Sequence, residues 1–379
     1  MPLDLGSLRS QSIAELIQTA RKSNIENASS LKKQDLVAAI LRESGSAASD
    51  GTGVLEILPD GFGFLRAPEY SFLPGSDDVY VSPSQIRRFN LRTGDLVGGQ
   101  VRAPKESERY FALIKVESVN GDPPEHAREK ALFENLTPVW PRRRLFVDDP
   151  GLRLLGLLAP VGFGQRALVS GAQRSGRSQL LRRLAHSIAR AHPTAALFVV
   201  LVAERPEEVT EIERTVPGVV LATTFDEPDA RHVQVAEMAI ERGKRLVEHR
   251  RDVVILFDSL DRFAAAAGGG AAALDPTALL RVRRVLGAAR ELEEGGSLTL
   301  FAAADADGAL ARAVSDATTC EIHLDAEVAR TGAWPALDLR RTGTLRPELL
   351  QSAEEGARAD RLRSSGSLEA ALSQLDSTT

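Results

Sequence analysis

The stretch Gly171-Ala172-Gln173-Arg174-Ser175-Gly176-Arg177-Ser178 decides the fold of the larger half of this chain. It follows the apolar run Ala167–Ser170, which reads as a strand, and opens a helical pattern over Gln179–Ala191. Strand, glycine loop and helix in that order make a phosphate-binding loop of the G-x-x-x-x-G-K-[ST] type. There, backbone N–H groups cradle phosphates, a lysine reaches the outer ones and the hydroxyl faces Mg2+. Arg177 stands in the lysine slot. A planar five-donor fork replaces a compact ammonium, and the two are not interchangeable at a tight site. The spacing predicts nucleotide binding with Mg2+ and leaves hydrolysis open.

Around this loop the chain alternates strand and helix. Ala196–Val202, Val219–Thr223, Asp252–Phe257 and Ser297–Ala302 read as buried strands, with helices over Glu207–Arg214 and Arg231–His249. The pattern predicts an α/β domain with a mainly parallel sheet over 157–350. Asp258 ends one apolar strand, where a P-loop NTPase carries its Mg2+-side carboxylate. Read alone, Asp258 would be a helix cap. Glu204 follows another strand at the carboxyl edge of the sheet, placed to orient or deprotonate a water. Its bland alternative is a surface glutamate in the charged run Glu204–Glu208.

The first third reads differently. Residues 1–48 form a small helical module, with Ile13, Leu16, Ile17 and Ala20 in one helix and Leu36, Val37, Ile40 and Leu41 in the next. Ser44–Gly51 is a small-residue linker. Over 50–120, Val54–Leu58, Phe62–Leu65, Asp77–Val81 and Tyr110–Val116 read as short strands with turn signals, which suggests a small β-barrel. In Gly61-Phe62-Gly63-Phe64-Leu65-Arg66, strand alternation puts Phe62, Phe64 and Arg66 on one face and Leu65 on the other. Gly61 and Gly63 leave room for close backbone approach. Aromatics beside a guanidinium make a base-stacking platform for single-stranded nucleic acid, which Tyr80, Arg109 and Tyr110 extend. The alternative is that both phenylalanines are core. A proline-marked connector, 121–156, carries Arg142-Arg143-Arg144, and 351–379 reads as a short helix or frayed tail.

Composition sets the limits. The 379 residues suffice for two or three cores, and 43% hydrophobic with 26% charged residues is ordinary for a soluble globular protein. A net charge of −5 excludes a wholesale nucleic-acid coat, so any such site is a local patch. The one cysteine, Cys320, excludes an internal disulfide and a multi-cysteine zinc site and fits a reducing compartment. Neither a secretory leader nor a membrane-length apolar run is visible, so the cytoplasm is the expected location and no membrane partner is expected.

With both halves laid out, the chain resembles the bacterial transcription termination factor Rho family. The resemblance runs from the N-terminal helices to about Leu350. It is carried by Asp60–Arg66, Val81–Asp95, Glu108–Leu113, Glu204–Glu211, Phe225–Pro228 and Arg231–Met238. It implies a cold-shock/OB-like RNA-binding barrel and a RecA-like P-loop NTPase domain. It also implies a ring, usually a hexamer, that captures C-rich nascent RNA and threads it using ATP, with RNA polymerase as a further partner. By the resemblance, Gly61, Phe62, Gly63, Phe64, Arg66, Tyr80, Glu108, Arg109 and Tyr110 form the RNA site. Gly171, Arg174, Ser175, Gly176, Arg177, Ser178 and Gln179 hold nucleotide, and Trp334 stacks on adenine. Glu204 activates water, Ser178 and Asp258 take the metal side, and Arg205 and Arg262 sit at interface positions.

The departures cluster. Arg174 and Arg177 replace two lysines, and Gly332 and Leu345 stand where the family supplies interface arginines, with Arg330 and Arg346 close by. An arginine finger is worth roughly 10³–10⁵ in rate. The segments expected to grip RNA in the channel are Ala264–Gly270 and Asp305–Ala309, and both lack the expected lysine. Two functions follow: an ATP-driven RNA translocase that releases transcripts, or a hydrolysis-impaired paralogue acting by RNA binding or in mixed rings with an active Rho.

Overall fold

A computed structural model describes residues 5–43, 49–105, 108–128, 130–145, 147, 149–269, 275–306 and 308–376. The backbone separates into two compact units, 1–131 and 132–379.

In the first unit, α1 (Leu5–Ser10), α2 (Ile13–Lys22) and α3 (Lys33–Glu43) precede β1 (Ser49–Ile57), β2 (Gly63–Arg66), β3 (Val79–Val81), α4 (Pro83–Arg88), β4 (Leu96–Arg102) and β5 (Phe111–Val119). Ser12 and Glu15 form a capping box that starts α2. Asn24 and Asn27 take left-handed backbone after it, which keeps the helix from continuing. The strands close into a barrel in the order β1-β2-β3-β5-β4, antiparallel except for β3 against β5.

The helices pack onto the barrel. Leu8, Leu16, Leu36 and Ile40 share one core with Leu55, Leu65, Val97 and Val101 of the barrel. The expected boundary near residue 48 therefore separates two segments that share a core; residues 44–48 themselves lie outside the described residues. The sequence reading also missed β4. Its Gly98-Gly99 pair weakens strand propensity, but the register shifts there, and a Cβ on Gly99 would fall 2.0 Å from the Lys115 carbonyl oxygen. Only glycine permits that approach.

The second unit begins with β6 (Pro138–Val139) and α5 (Arg153–Leu158), then β7 (Arg166–Gly171), α6 (Arg177–Ala191), β8 (Ala196–Glu204), α7 (Pro206–Thr215) and β9 (Val219–Thr224). It continues with α8 (Asp229–Glu248), β10 (Asp252–Asp258), α9 (Leu260–Ala267), α10 (Pro276–Gly287), β11 (Arg290–Leu292), β12 (Ser297–Ala304), α11 (Ala309–Val314) and β13 (Cys320–Leu324). It closes with α12 (Ala326–Arg330), β14 (Gly343–Thr344), α13 (Ala353–Arg363) and α14 (Leu368–Asp376).

The main sheet runs β14-β13-β7-β12-β10-β8-β9, with β11 joining β12 to β6. The inner pairs are parallel, so the carboxyl ends of β7, β8 and β10 meet along one edge. The connector is thus partly sheet and divides between the two units. Arg143 bridges it to Asp252 and Glu291. The channel segment Ala264–Gly270 is mostly helix: α9 runs through Ala267, while Gly270, like Asp307, lies outside the described residues.

Of the two readings of the last segment, short helix or frayed tail, the structure has helix, and two of them. Ala359 and Leu362 of α13 and Leu368, Ala371 and Leu375 of α14 are buried in the main core. Sparse apolar residues hid this, because five core contacts spread over two short helices give little periodic signal. Leu362→Ala should therefore lower the unfolding free energy of the second unit by about 2–5 kcal/mol, the usual cost of a leucine-to-alanine cavity. Thermal or denaturant unfolding measures it.

Candidate nucleotide site and nucleic-acid interface

The phosphate loop joins β7 directly to α6, whose first residue is Arg177. Gly176 caps the helix at φ +94°, a conformation that disfavours every residue with a Cβ. A Cβ there would also fall 3.1 Å from Cζ3 of Trp334, so the indole lies on the loop. Arg174, at the loop apex, is exposed with φ +65°. Gln179 is exposed beside the loop, its Oε1 3.9 Å from that same Cβ position. Gly171 packs beneath Ser175. Ser175 Oγ, Arg177 Nη1 and Trp334 Nε1 are buried without a protein partner. Buried polar atoms are normally satisfied, so donors gathered on one loop fit an anionic, oxygen-rich ligand. Gly176→Ala is expected to weaken ATP binding at least tenfold and to cost about 1–3 kcal/mol of backbone strain. Calorimetric titration with a non-hydrolysable analogue checks the first, thermal unfolding the second.

Sheet topology brings the two carboxylates to the loop. Ser178 Oγ donates to Asp258 Oδ2 at 3.0 Å. Burial pushes the Asp258 carboxyl up, and the nearby Glu204 adds to the rise, against the pull of Arg262, Ser178 and Arg177. A hydroxyl and a carboxylate oxygen are hard donors suited to Mg2+. Glu204 stands on the neighbouring strand, past a bulge at which Ala203 takes φ +50°. That turn is held on both sides. The Ala203 N–H donates to Thr223 Oγ1 at 3.1 Å, and the Ala203 carbonyl accepts from Arg262 Nη1 at 2.8 Å. Thr223 Oγ1 in turn shares a 2.7 Å hydrogen bond with Nδ1 of buried His232. Arg262 Nη2 donates to Glu204 Oε2 at 2.7 Å and lies 3.6 Å from Asp258 Oδ1. Arg262 thus joins both acids of its own chain. Arg205 is exposed at the start of α7, its N–H donating to Glu204 Oε1 at 3.0 Å. Gly332 has φ +86° with open space around it, and Leu345 is 57% exposed.

On the barrel, Phe62, Phe64, Tyr80 and Tyr110 form one cluster. Phe64 is its hub, with ring centroids 5.8 Å from Phe62, 6.1 Å from Tyr80 and 4.8 Å from Tyr110. Phe62 also lies 5.7 Å from Tyr80. Phe64 is 8% exposed yet stands outside the barrel core, which takes Leu65 instead. The face division read from alternation is correct. Arg109 sits 5.4 Å over the Tyr110 ring. Beside the cluster opens a cleft of about 720 Å³, lined by Tyr80, Arg102, Glu108, Arg109, Tyr110 and Ile114. Glu108 accepts from Arg102 at 2.5 and 2.8 Å, and hydrogen bonding to Arg102 and the Lys105 N–H holds its carboxyl down at about 2.

Two expectations change. Arg66 does not present a free guanidinium: it is 4% exposed, ion-paired to Glu56 at 2.7 Å and to Asp78, and lies 4.9 Å from the Phe64 ring centroid. Its charge is spent bracing the ring from below. Gly61 serves turn geometry rather than close approach, since it has φ +85° and open space around it. Gly63 does pack closely, with a Cβ position 2.7 Å from the Glu56 carbonyl oxygen. Asp78 and Arg102 were missed. Arg102 ends the glycine-weakened β4 and pairs with Glu108 at the partly exposed edge of the cleft; Asp78 looked like the start of a strand, and its buried pairing with Arg66 leaves no local pattern.

Comparison with known proteins agrees with this division. Residues 7–45 match the Rho termination factor N-terminal domain, 51–125 the Rho termination factor RNA-binding domain, and 151–342 the nucleotide-binding domain of the ATP synthase alpha/beta family. Transcription termination factor Rho of Escherichia coli K12 is 48% identical over 376 residues, covering 93% of this chain and 90% of that protein. Its counterpart in Chromobacterium violaceum is 47% identical over 371 residues, covering 92% and 89%. A solved ATPase from a bacterial type III secretion system superposes with a TM-score of 0.54 at 20% identity, over 60% of this chain and 69% of its own, a likeness of fold alone. No described helix is long and apolar enough to cross a membrane. An RNA-binding barrel and a nucleotide-binding P-loop domain on one chain, at this identity and coverage, place it in the transcription termination factor Rho family.

Proposed function

We propose that the chain captures single-stranded, C-rich RNA on the aromatic cleft of its barrel and couples ATP hydrolysis to RNA translocation and transcript release. The observation that carries this reading is the junction of Ser178, Asp258, Arg262 and Glu204 at one sheet edge, beside three unpartnered buried donors. A site that bound nucleotide without turnover would not need Glu204 steadied between Arg262 and the Arg205 N–H. Ser178 and Asp258 would hold Mg2+, which supplies charge neutralisation for the transferring phosphoryl group. Arg177 and Ser175 would bind phosphate oxygens, and Trp334 would bound the base. Glu204 would orient the attacking water and take its proton.

The chain would work in the cytoplasm as a ring of copies, expected to be hexameric, meeting RNA polymerase through the nascent transcript. Tyr80, Tyr110 and Phe62 offer π-faces to unpaired bases, and Arg109 supports one of them. Arg174 and the arginine-rich loop suit phosphate recognition by geometry rather than by point charge.

The test is ATP-dependent release of a cytosine-rich transcript from a stalled bacterial elongation complex. Release with ATP and none with a non-hydrolysable analogue is expected. Tight RNA binding with neither phosphate turnover nor release would instead identify an RNA-binding regulator that works by occupancy.

A further inference from the structure

We propose that the N-terminal helices set the geometry of the RNA cleft, gripping the loop Gly75–Asp78 at two points; the inference rests on the RNA reading above. The first point is Arg9 of α1, 3% exposed. Its Nε donates to Asp77 Oδ2 at 2.6 Å, its Nη2 to the Asp77 carbonyl at 2.9 Å, and its Nη1 to the Thr52 carbonyl of β1 at 3.3 Å. The second is Gln34 of α3, whose amide lies so close over Gly75 that a Cβ there would fall 2.4 Å from its Nε2.

Asp78 follows directly on the first point and bonds back to the second. Its Oδ2 accepts the Gly75 N–H at 2.7 Å and the Arg66 guanidinium, and Arg66 in turn underlies Phe64, the hub of the ring cluster. From Arg9 to the stacking surface the path is Asp77, Asp78, Arg66, Phe64. Neither Arg9 nor Gln34 touches the cleft, so both are positioning residues.

Docking α1 does not require this arrangement. Leu5 and Leu8 are fully buried and supply the apolar contact, whereas a buried ion pair adds little net stability. What an arginine with two bonds to the loop and a third to β1 adds is a fixed loop position. The electrostatics run the same way. Burial pushes the Asp78 carboxyl up to about 6, and the Asp77 carboxylate adds to the rise, while Arg66 and the Gly75 N–H oppose it. The groups around it are Arg66 from β2, Glu56 from β1 sharing that arginine, Asp77 on the same loop, and Arg9 from α1 balancing Asp77. Ionised Asp78 holds Arg66 firmly, so affinity for RNA should fall as pH drops through about 6. Without Arg9, the Asp77 charge is uncompensated and that midpoint moves upward.

The experiment titrates the full chain with fluorescent oligocytidine between pH 5 and 8, for the parent, Arg9→Met, Arg9→Lys and Gly75→Ala. Arg9→Met should bind roughly 3–30-fold more weakly at pH 7, the range by which residues outside a site modulate it, with its pH midpoint raised. Arg9→Lys keeps the charge and should recover part of the loss. Gly75→Ala displaces only the mobile end of Gln34, so it folds, and it should weaken binding in the same direction. Parent-like affinity and pH midpoint in a folded Arg9→Met would overturn the inference. If that variant does not fold, parent-like affinity of Gly75→Ala would overturn it. Failure of the parent itself to bind oligocytidine would overturn the RNA reading, and this inference with it.

Discussion

Glu204→Gln is expected to cut RNA-stimulated phosphate release by about 10²–10⁴-fold, the usual worth of a positioned general base, while ATP affinity stays within a few fold of the parent. The substitution is nearly isosteric. The amide oxygen can still accept from Arg262 Nη2, which donates to Glu204 Oε2 at 2.7 Å, while the amide nitrogen takes the place of Oε1 and gives up the 3.0 Å bond from the Arg205 N–H. The bulge at Ala203 keeps its own supports from Thr223 and Arg262. What disappears is the carboxylate that can take a proton. Removing it also lifts one like charge from beside Asp258, whose carboxyl is already pushed up by burial; nucleotide binding should therefore hold steady or tighten. Stopped-flow phosphate release and calorimetric titration separate the two quantities. Turnover within threefold of the parent would show that Glu204 is not the base.

Phe64→Ala should weaken oligocytidine binding by about 10–100-fold, from stacking worth roughly 1–3 kcal/mol per base. Phe64 is chosen over the more exposed Phe62 because it touches three other rings and rests on Arg66. Truncating it removes one ring and releases the others from their packing. The barrel should survive, since Phe64 lies outside the core formed by Leu55, Leu65, Val79 and Val97. The salt dependence of binding should keep its slope, because slope counts phosphate contacts and not stacking. A steeper or shallower slope with little loss of affinity would move the site away from the rings.

Much of this is legible in the sequence. The phosphate loop announced itself because its chemistry needs fixed residues at fixed spacing, and the strands ending in Glu204 and Asp258 were legible as unbroken apolar runs. Alternation alone separated Leu65 from Phe62 and Phe64. The failures share one cause, which is that they depend on contacts distant in sequence. Arg66 reads as a surface guanidinium until Glu56 and Asp78 close around it. Strand β4 goes unrecognised until Lys115 explains Gly99. The choice between helix and tail for the last segment stays open until Leu362 and Leu375 find the core of the second unit. The partnership of Arg262 with both acids is of the same kind, set by the order of strands in the sheet and not by any motif.

We propose that bases on the barrel's rings drive chemistry at the phosphate loop of the same chain. The decisive measurement is phosphate release against oligocytidine concentration at saturating ATP and Mg2+. Release should rise saturably with oligocytidine in the parent and require far higher concentrations in Phe64→Ala. A release rate that stays at its RNA-free value while the cleft fills would contradict it.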